Sequence, residues 1–244
     1  MIPMELKFDK EGLLYYDNPN LIMERPLDIG DPYSEQNDYY NYVFYKLPST
    51  DDYIVKYCST IYSRREIKAF KEMLKRLIMV QNNVERTDFP IGYYSSLNKK
   101  LSGLIIKNYK DALSLDKIAE NHDINALNKY YYHDDDSLHN LFLLFLDVLE
   151  SLKEMHDNNI LYFDSNPGNV VLADNMAKII DFDYRFIKFE KNDTRDSVLY
   201  TNFILFVKSL LKSYDIDEKV NAYYSNYYDT KEYVKKLEKS IRNR

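Results

Sequence analysis

Lys153-Glu154-Met155-His156-Asp157-Asn158-Asn159-Ile160-Leu161-Tyr162-Phe163-Asp164-Ser165-Asn166-Pro167-Gly168-Asn169-Val170-Val171-Leu172, followed by Lys178-Ile179-Ile180-Asp181-Phe182-Asp183, is the stretch on which the fold turns. Three oxygen-bearing side chains occupy loop positions bounded by apolar, strand-like runs. Asp164 and Asn169 are five residues apart, with Pro167-Gly168 bending the chain between them. Asp181 comes directly after the apolar run Ile179-Ile180. Carboxylate and amide oxygens are hard ligands suited to magnesium, which is held by one or two carboxylates together with phosphate oxygens. A separate carboxylate can take the proton of an attacking hydroxyl. Metal ligands, a positioned base and a cation on the remaining phosphates are the parts phosphoryl transfer requires.

Upstream of this stretch, Asp134-Asp135-Asp136-Ser137 is expected to cap a long helix running to about Asp157. Its run Leu141-Phe142-Leu143-Leu144-Phe145-Leu146 implies burial on most sides. A short helix is expected near 114–120. Further upstream, weak strands at 5–16 and 19–24 precede an aromatic strand, Tyr39–Tyr45. After a turn at Pro48–Asp52 comes Tyr53–Cys58, whose period of two puts Ile54, Lys56 and Cys58 on one face. Ser63 is expected to cap a helix to about Gln81, with Ile67, Phe70, Met73, Leu74, Leu77 and Ile78 at helical spacing. Ile91–Tyr94 and Leu104–Ile106 read as two more strands. The order strand, strand, helix, strand, strand indicates an antiparallel sheet with one helix against it. Downstream of Asp183, helices are expected at about 197–213, 216–226 and 230–242.

Composition bounds the class. The 244 residues are 45% hydrophobic and 15% aromatic, enough to bury a core and too apolar for disorder. A net charge of −6, from 33 basic and 39 acidic residues, disfavours a nucleic-acid binder. The single cysteine, Cys58, excludes an internal disulfide and a multi-thiolate zinc site, and points to a reducing, cytoplasmic setting. The longest apolar run falls short of the ~20 residues a membrane span needs, so no membrane association is expected. His133 to Asp136 reads as a helix start rather than a metal cluster.

The segment from Leu152 to Asp183 resembles the catalytic loop and magnesium motif of the protein kinase-like superfamily: a D-x-x-P-x-N loop at Asp164–Asn169 and an I-D-F triplet at Ile180–Phe182. The element order around it extends the resemblance over most of the chain. The resemblance implies an α+β, bilobal protein kinase-like fold, with a small β-sheet N-lobe over residues 1–107 and a mainly helical, truncated C-lobe over 108–244. It implies ATP as substrate and Mg2+ as cofactor, with Asp164 as catalytic base and Asn169 and Asp181 as magnesium ligands. Lys56 would bind the nucleotide phosphates. Its partner would come from the helix at 63–81. There Glu66 shares the face of Phe70, Met73 and Leu77, whereas Glu72 lies with Lys75 and Arg76 toward solvent.

The chain departs from the family pattern in several places. The Gly-rich phosphate loop is missing, with only Gly30 in its region. Ile54 stands where the family carries a small residue, Tyr162-Phe163 replace His-Arg, and Asn166 replaces a lysine. Asp183 replaces a glycine, and the segment to Asp196 is short. Asp196 would match the buried helix aspartate of kinases. The phrase Asp164–Asn169 with Ile180–Asp183 is similar to the aminoglycoside and choline phosphotransferase branch, while the phrase around His156 is closer to protein kinases. The expected function is a minimal Ser/Thr protein kinase-like phosphotransferase acting on a hydroxyl acceptor, protein or small molecule. A small-molecule kinase and a pseudokinase acting as a binding module are the alternatives.

Overall fold

The computed structural model describes residues 5–18, 21, 42–58, 63–96, 100–109, 112–189, 193–217 and 226–243. The strand expected at 19–24 (apart from Leu21), Tyr39–Asn41, the region of Gly30, most of the helix expected at 216–226 and the Cys58 side chain lie outside them. The chain divides into two compact units, Met1–Asn82 with Asp88–Lys110, and Asn83–Thr87 with Asp111–Arg244.

Among its described residues the first unit is a sheet with one α-helix. Its elements are β1 (Lys7–Phe8), β2 (Leu14–Asp17), β3 (Tyr42–Leu47), β4 (Thr50–Cys58), α1 (Arg64–Val80), β5 (Gly92–Ser96) and β6 (Lys100–Lys107). The strand order is β1-β2-β5-β6-β4-β3. All neighbours are antiparallel except β2 and β5, which run parallel, a correction to the wholly antiparallel expectation. The single strand expected at 5–16 is broken by Asp9. Its carboxylate accepts the backbone N–H groups of Glu11 and Leu13 at 2.8 and 3.0 Å and folds the chain into a turn.

Register sorts the side chains. Tyr16, Tyr45, Val55, Tyr94 and Ile105 fall on one face and form a closed apolar cluster with Leu6, Leu21 and Leu47. The opposite face carries the cross-strand row Phe44, Lys56, Leu104, Tyr93 and Tyr15. The helix α1 lies on that second face, because its Lys71 reaches over the Tyr93 ring, 4.7 Å from its centre. Burial of Phe70, Met73, Leu74 and Leu77 secures it. Both faces of β4 are therefore covered, and Ile54, Val55 and Lys56 are all buried.

The second unit is built around α3 (Ser137–Asp157). Asp136 is its N-cap, accepting the His139 N–H at 3.0 Å, as the acidic run before it suggested. Ten of its residues are buried, from Asn140 to Met155, so it is covered on most sides. It packs against α5 (Tyr227–Arg242), and Phe145 meets Phe206 of α4 (Asp193–Ser213) edge to face. The short helix α2 (Leu115–Ala119) follows β7 (Leu113–Ser114) and packs on the 3-10 turn Pro167–Asn169. β7 pairs with β9 (Val170–Ala173), and β9 with β10 (Met176–Ile179). β8 (Leu161–Tyr162) pairs with β11 (Ile187–Lys188), a short strand the sequence did not suggest. Two of the C-terminal basic residues are paired: Lys231 binds Glu150, and Arg242 binds Asp136 and Glu238. Among the described residues no helix is long and apolar enough to cross a membrane.

Candidate active site

Asp164 and Asn169 are brought together by the bend the sequence suggested. Pro167 opens a single 3-10 turn closed by Asn169 N–H to Asn166 O at 3.0 Å, and β9 begins at once. The buried Asn169 amide nitrogen donates to the Asp164 carboxylate at 2.8 Å, to the Asp164 carbonyl at 3.0 Å and to the Tyr162 hydroxyl at 3.2 Å. The first two groups can only accept, which fixes the nitrogen on that side and the amide oxygen on the other. Asn166 also donates to Asp164, at 3.1 Å.

Asp181 directly follows the β9–β10 hairpin, which the Ile180 N–H ties to the Asn169 carbonyl at 2.8 Å. Its backbone is left-handed, φ 66°, a conformation that costs a non-glycine residue roughly 1 kcal/mol. Two contacts hold the chain there. The buried Tyr162 hydroxyl faces the carbonyls of Ile180 at 3.1 Å and Asp181 at 3.4 Å. Its ring packs on buried Phe182, 5.4 Å between centres.

The electrostatics suit a proton acceptor. Burial pushes the Asp164 carboxyl up from its ordinary value. The charges of Asp181 and Asp183 add to the rise, and the Asn169 and Asn166 amides oppose it. Asp183 itself is gripped by the Arg185 guanidinium, whose Nε lies 3.0 Å from each carboxylate oxygen. That pairing compensates the burial of the Asp183 carboxylate.

Lys56 is 5% exposed, in the middle of its cross-strand row. Glu66 is the third residue of α1 and completes a capping box: it accepts the Ser63 N–H at 2.7 Å while Ser63 accepts its N–H at 3.3 Å. Lys56 and α1 share one face of the sheet. Glu72 is exposed and pairs with Lys75 at 3.2 Å, as its position on the helix implied.

Sequence reasoning passed over two residues. Tyr162 appeared only as a departure from the family pattern, although a hydroxyl two residues before Asp164 was a visible signal. Asn202 gave no signal; from α4 it donates to the Phe163 carbonyl at 3.0 Å and so props the loop. Asp196 lies 3.1 Å from His156 at the end of α3.

The donor chemistry fits magnesium. Among the described residues no cluster of three or more His, Cys, Asp or Glu side chains that could hold a metal ion is assembled; of the segment's carboxylates, Asp164 is bonded by Asn169 and Asn166 and Asp183 by Arg185, and Asp181 with the Asn169 amide is the set the resemblance assigns to a metal. That is the sparse set a magnesium ion uses when phosphate oxygens and water complete its shell.

No family model and no curated protein matches the sequence. Among solved structures the chain is similar to a crystal structure of an Stt7 homolog from Micromonas algae soaked with ATP. The two share 16% identity and a TM-score of 0.51, over 74% of this chain. The match spans 53% of that chain, about half its length. At this identity the likeness shows fold alone. The fold is α+β and protein kinase-like, a β-sheet lobe and a helical lobe, in agreement with the sequence expectation.

Proposed function

We propose that the protein is an ATP- and magnesium-dependent phosphotransferase of the minimal Ser/Thr protein kinase-like kind. The observation that carries the reading is the Asp164–Asn169 pair, 2.8 Å apart, beside the left-handed Asp181. Asp164 takes the proton of an acceptor hydroxyl as its oxygen bonds to the γ-phosphorus and the bond to ADP breaks. Its raised carboxyl makes it a better proton acceptor than an ordinary surface aspartate. Bound magnesium would neutralise phosphate charge; Asn169, through its amide oxygen, and Asp181 would hold it. Lys56 is assigned to the nucleotide phosphates. Its burial on a strand, on the face that carries α1, supports this, and Glu66 in the first turn of α1 is assigned as its carboxylate partner. The acceptor is a hydroxyl compound, protein or small molecule.

Thermal melting with ATP, with and without Mg2+, tests the nucleotide half of this reading. A ligand at a hundredfold its dissociation constant adds about 2.7 kcal/mol of stability. Wild type should show a magnesium-dependent rise in melting temperature that Asp181→Asn loses. No rise at millimolar ATP would overturn the reading in favour of a binding module.

A further inference from the structure

We infer that the hairpin β1–β2 is a brace for the nucleotide site: Asp9 and Glu11, gripping Lys71 and Lys75 of α1, are positioning residues for Glu66. This inference rests on the reading of Lys56 and Glu66 given above. The buried side chains of α1 are Phe70, Met73, Leu74 and Leu77, and none lies in the first six residues, where Glu66 stands. Apolar burial holds the helix against the sheet, but it is non-directional and leaves the helix free to roll on its stripe. Charge-assisted hydrogen bonds have a direction. Lys71 and Lys75 are one turn apart and share a flank of α1. Lys71 donates to Asp9 at 2.6 Å, and Lys75 reaches Glu11 at 2.7 Å. Their acceptors sit on a built turn, in which the Asp9 N–H donates to the Leu13 carbonyl at 2.8 Å and Gly12 takes φ 78°. The turn is tied to the sheet as well. The Tyr93 hydroxyl of β5 donates to Asp9 at 2.9 Å, and the Tyr15 ring stacks on the Tyr93 ring, 5.7 Å between centres.

The consequence is geometric. The Asp9 and Lys71 side chains are only 10% and 18% exposed, so water weakens their pairing little. Glu66 precedes Lys71 by five residues, about 7.5 Å along the helix axis at 1.5 Å per residue. A clamp at Lys71 therefore sets the roll of the turn that carries Glu66. With the clamp released, a roll of roughly 20° carries a carboxylate about 6 Å from the axis sideways by about 2 Å. A misplacement of about 1 Å in a positioning group is enough to cost up to a hundredfold in rate. The hairpin thus acts on the phosphate site through α1 without touching the nucleotide.

The test is Lys71→Met in the full chain, which keeps an unbranched apolar stem over Tyr93 and removes the ammonium. The dissociation constant of ATP with Mg2+ is read by calorimetry, at a temperature where the protein is folded. A rise of about tenfold is expected, within the range of known couplings between sites. Ile105→Val serves as control. Ile105 is buried in the cluster on the opposite face of the sheet, so the change should lower the melting temperature by about 2–4 °C and leave ATP affinity within about twofold. That separates a displaced Glu66 from a merely less stable protein. A Lys71→Met dissociation constant within about twofold of wild type overturns the inference. Should that variant not fold, Glu11→Lys replaces it. It sets a third cation beside Lys71 and Lys75 without leaving Asp9 unpaired, and Glu11 is a third exposed, so the fold survives. ATP binding weakened by about threefold supports the inference, and binding left unmoved overturns it. Wild type that binds no ATP refutes the underlying reading of Lys56 and Glu66, an outcome distinct from wild-type binding that the variants leave unchanged.

Discussion

Substituting Asp9→Asn should uncouple α1 from its sheet, and the cost follows from the contacts. One carboxylate oxygen of Asp9 accepts the Glu11 and Leu13 N–H groups. The other accepts the Lys71 ammonium at 2.6 Å and the Tyr93 hydroxyl at 2.9 Å. Asparagine can keep the first pair, but it points an amide nitrogen at the ammonium. Burial opposes ionisation of Asp9, yet Lys71, the two N–H groups and Tyr93 outweigh it and hold the carboxyl at about 2, down from 3.8. Each tenfold gain in acidity on folding corresponds to about 1.4 kcal/mol, and the side chain is 10% exposed, so solvent screening removes little. The carboxylate thus contributes about 2 kcal/mol at neutral pH. Because the folded value lies below the unfolded one, that stability is present above pH 4 and disappears as pH falls through about 2; near pH 3 roughly half remains. The assay is urea unfolding followed by circular dichroism, since the chain has no tryptophan. At pH 7 the variant should be about 2 kcal/mol less stable, a fall of roughly 4–8 °C in melting temperature. The difference should halve by pH 3. A difference below about 0.5 kcal/mol at pH 7, or one that does not change with pH, would refute the reasoning.

Two further substitutions probe the site. In Gly103→Ala the new Cβ would lie 2.4 Å from the Lys56 carbonyl oxygen, so β4 must move. A loss of about 1–3 kcal/mol is expected, together with a smaller ATP-dependent rise in melting temperature; calorimetry showing wild-type ATP binding would contradict the placement of Lys56. Asp164→Asn should behave oppositely in stability. The Asp164 carboxyl is raised by burial, so its charged form lowers stability as pH climbs through and above the ordinary carboxylate range. The variant should lack that decline and be at least as stable as wild type at pH 7 while losing phosphoryl transfer, as parallel melts at pH 4 and pH 7 would show.

Much of this architecture was legible in local chemistry. Ser63 and Asp136 are oxygen caps placed directly before helical apolar periodicity, and each begins the helix expected of it. Pro167-Gly168 between Asp164 and Asn169 announced the bend that joins them. What escaped the sequence depends on partners distant along the chain. The parallel pairing of β2 and β5 joins Tyr15 to Tyr93, and no local pattern records it. The break at Asp9 needed its turn geometry. β11 is two residues long and exists only because β8 is beside it. The Tyr162 bridge joins three segments, so its role emerges only when Asn169 and Asp181 are in place. Asp183 looked like a loss from the pattern, and its Arg185 partner shows how the chain accommodates it.

The most direct test of the account is transfer of label from γ-labelled ATP into a heat-treated lysate, comparing wild type with Asp164→Asn. The account predicts magnesium-dependent labelling by wild type alone. Label in the macromolecular fraction would make the acceptor a protein, and label in the metabolite fraction a small molecule. Wild type that binds ATP yet transfers no more label than Asp164→Asn would contradict it.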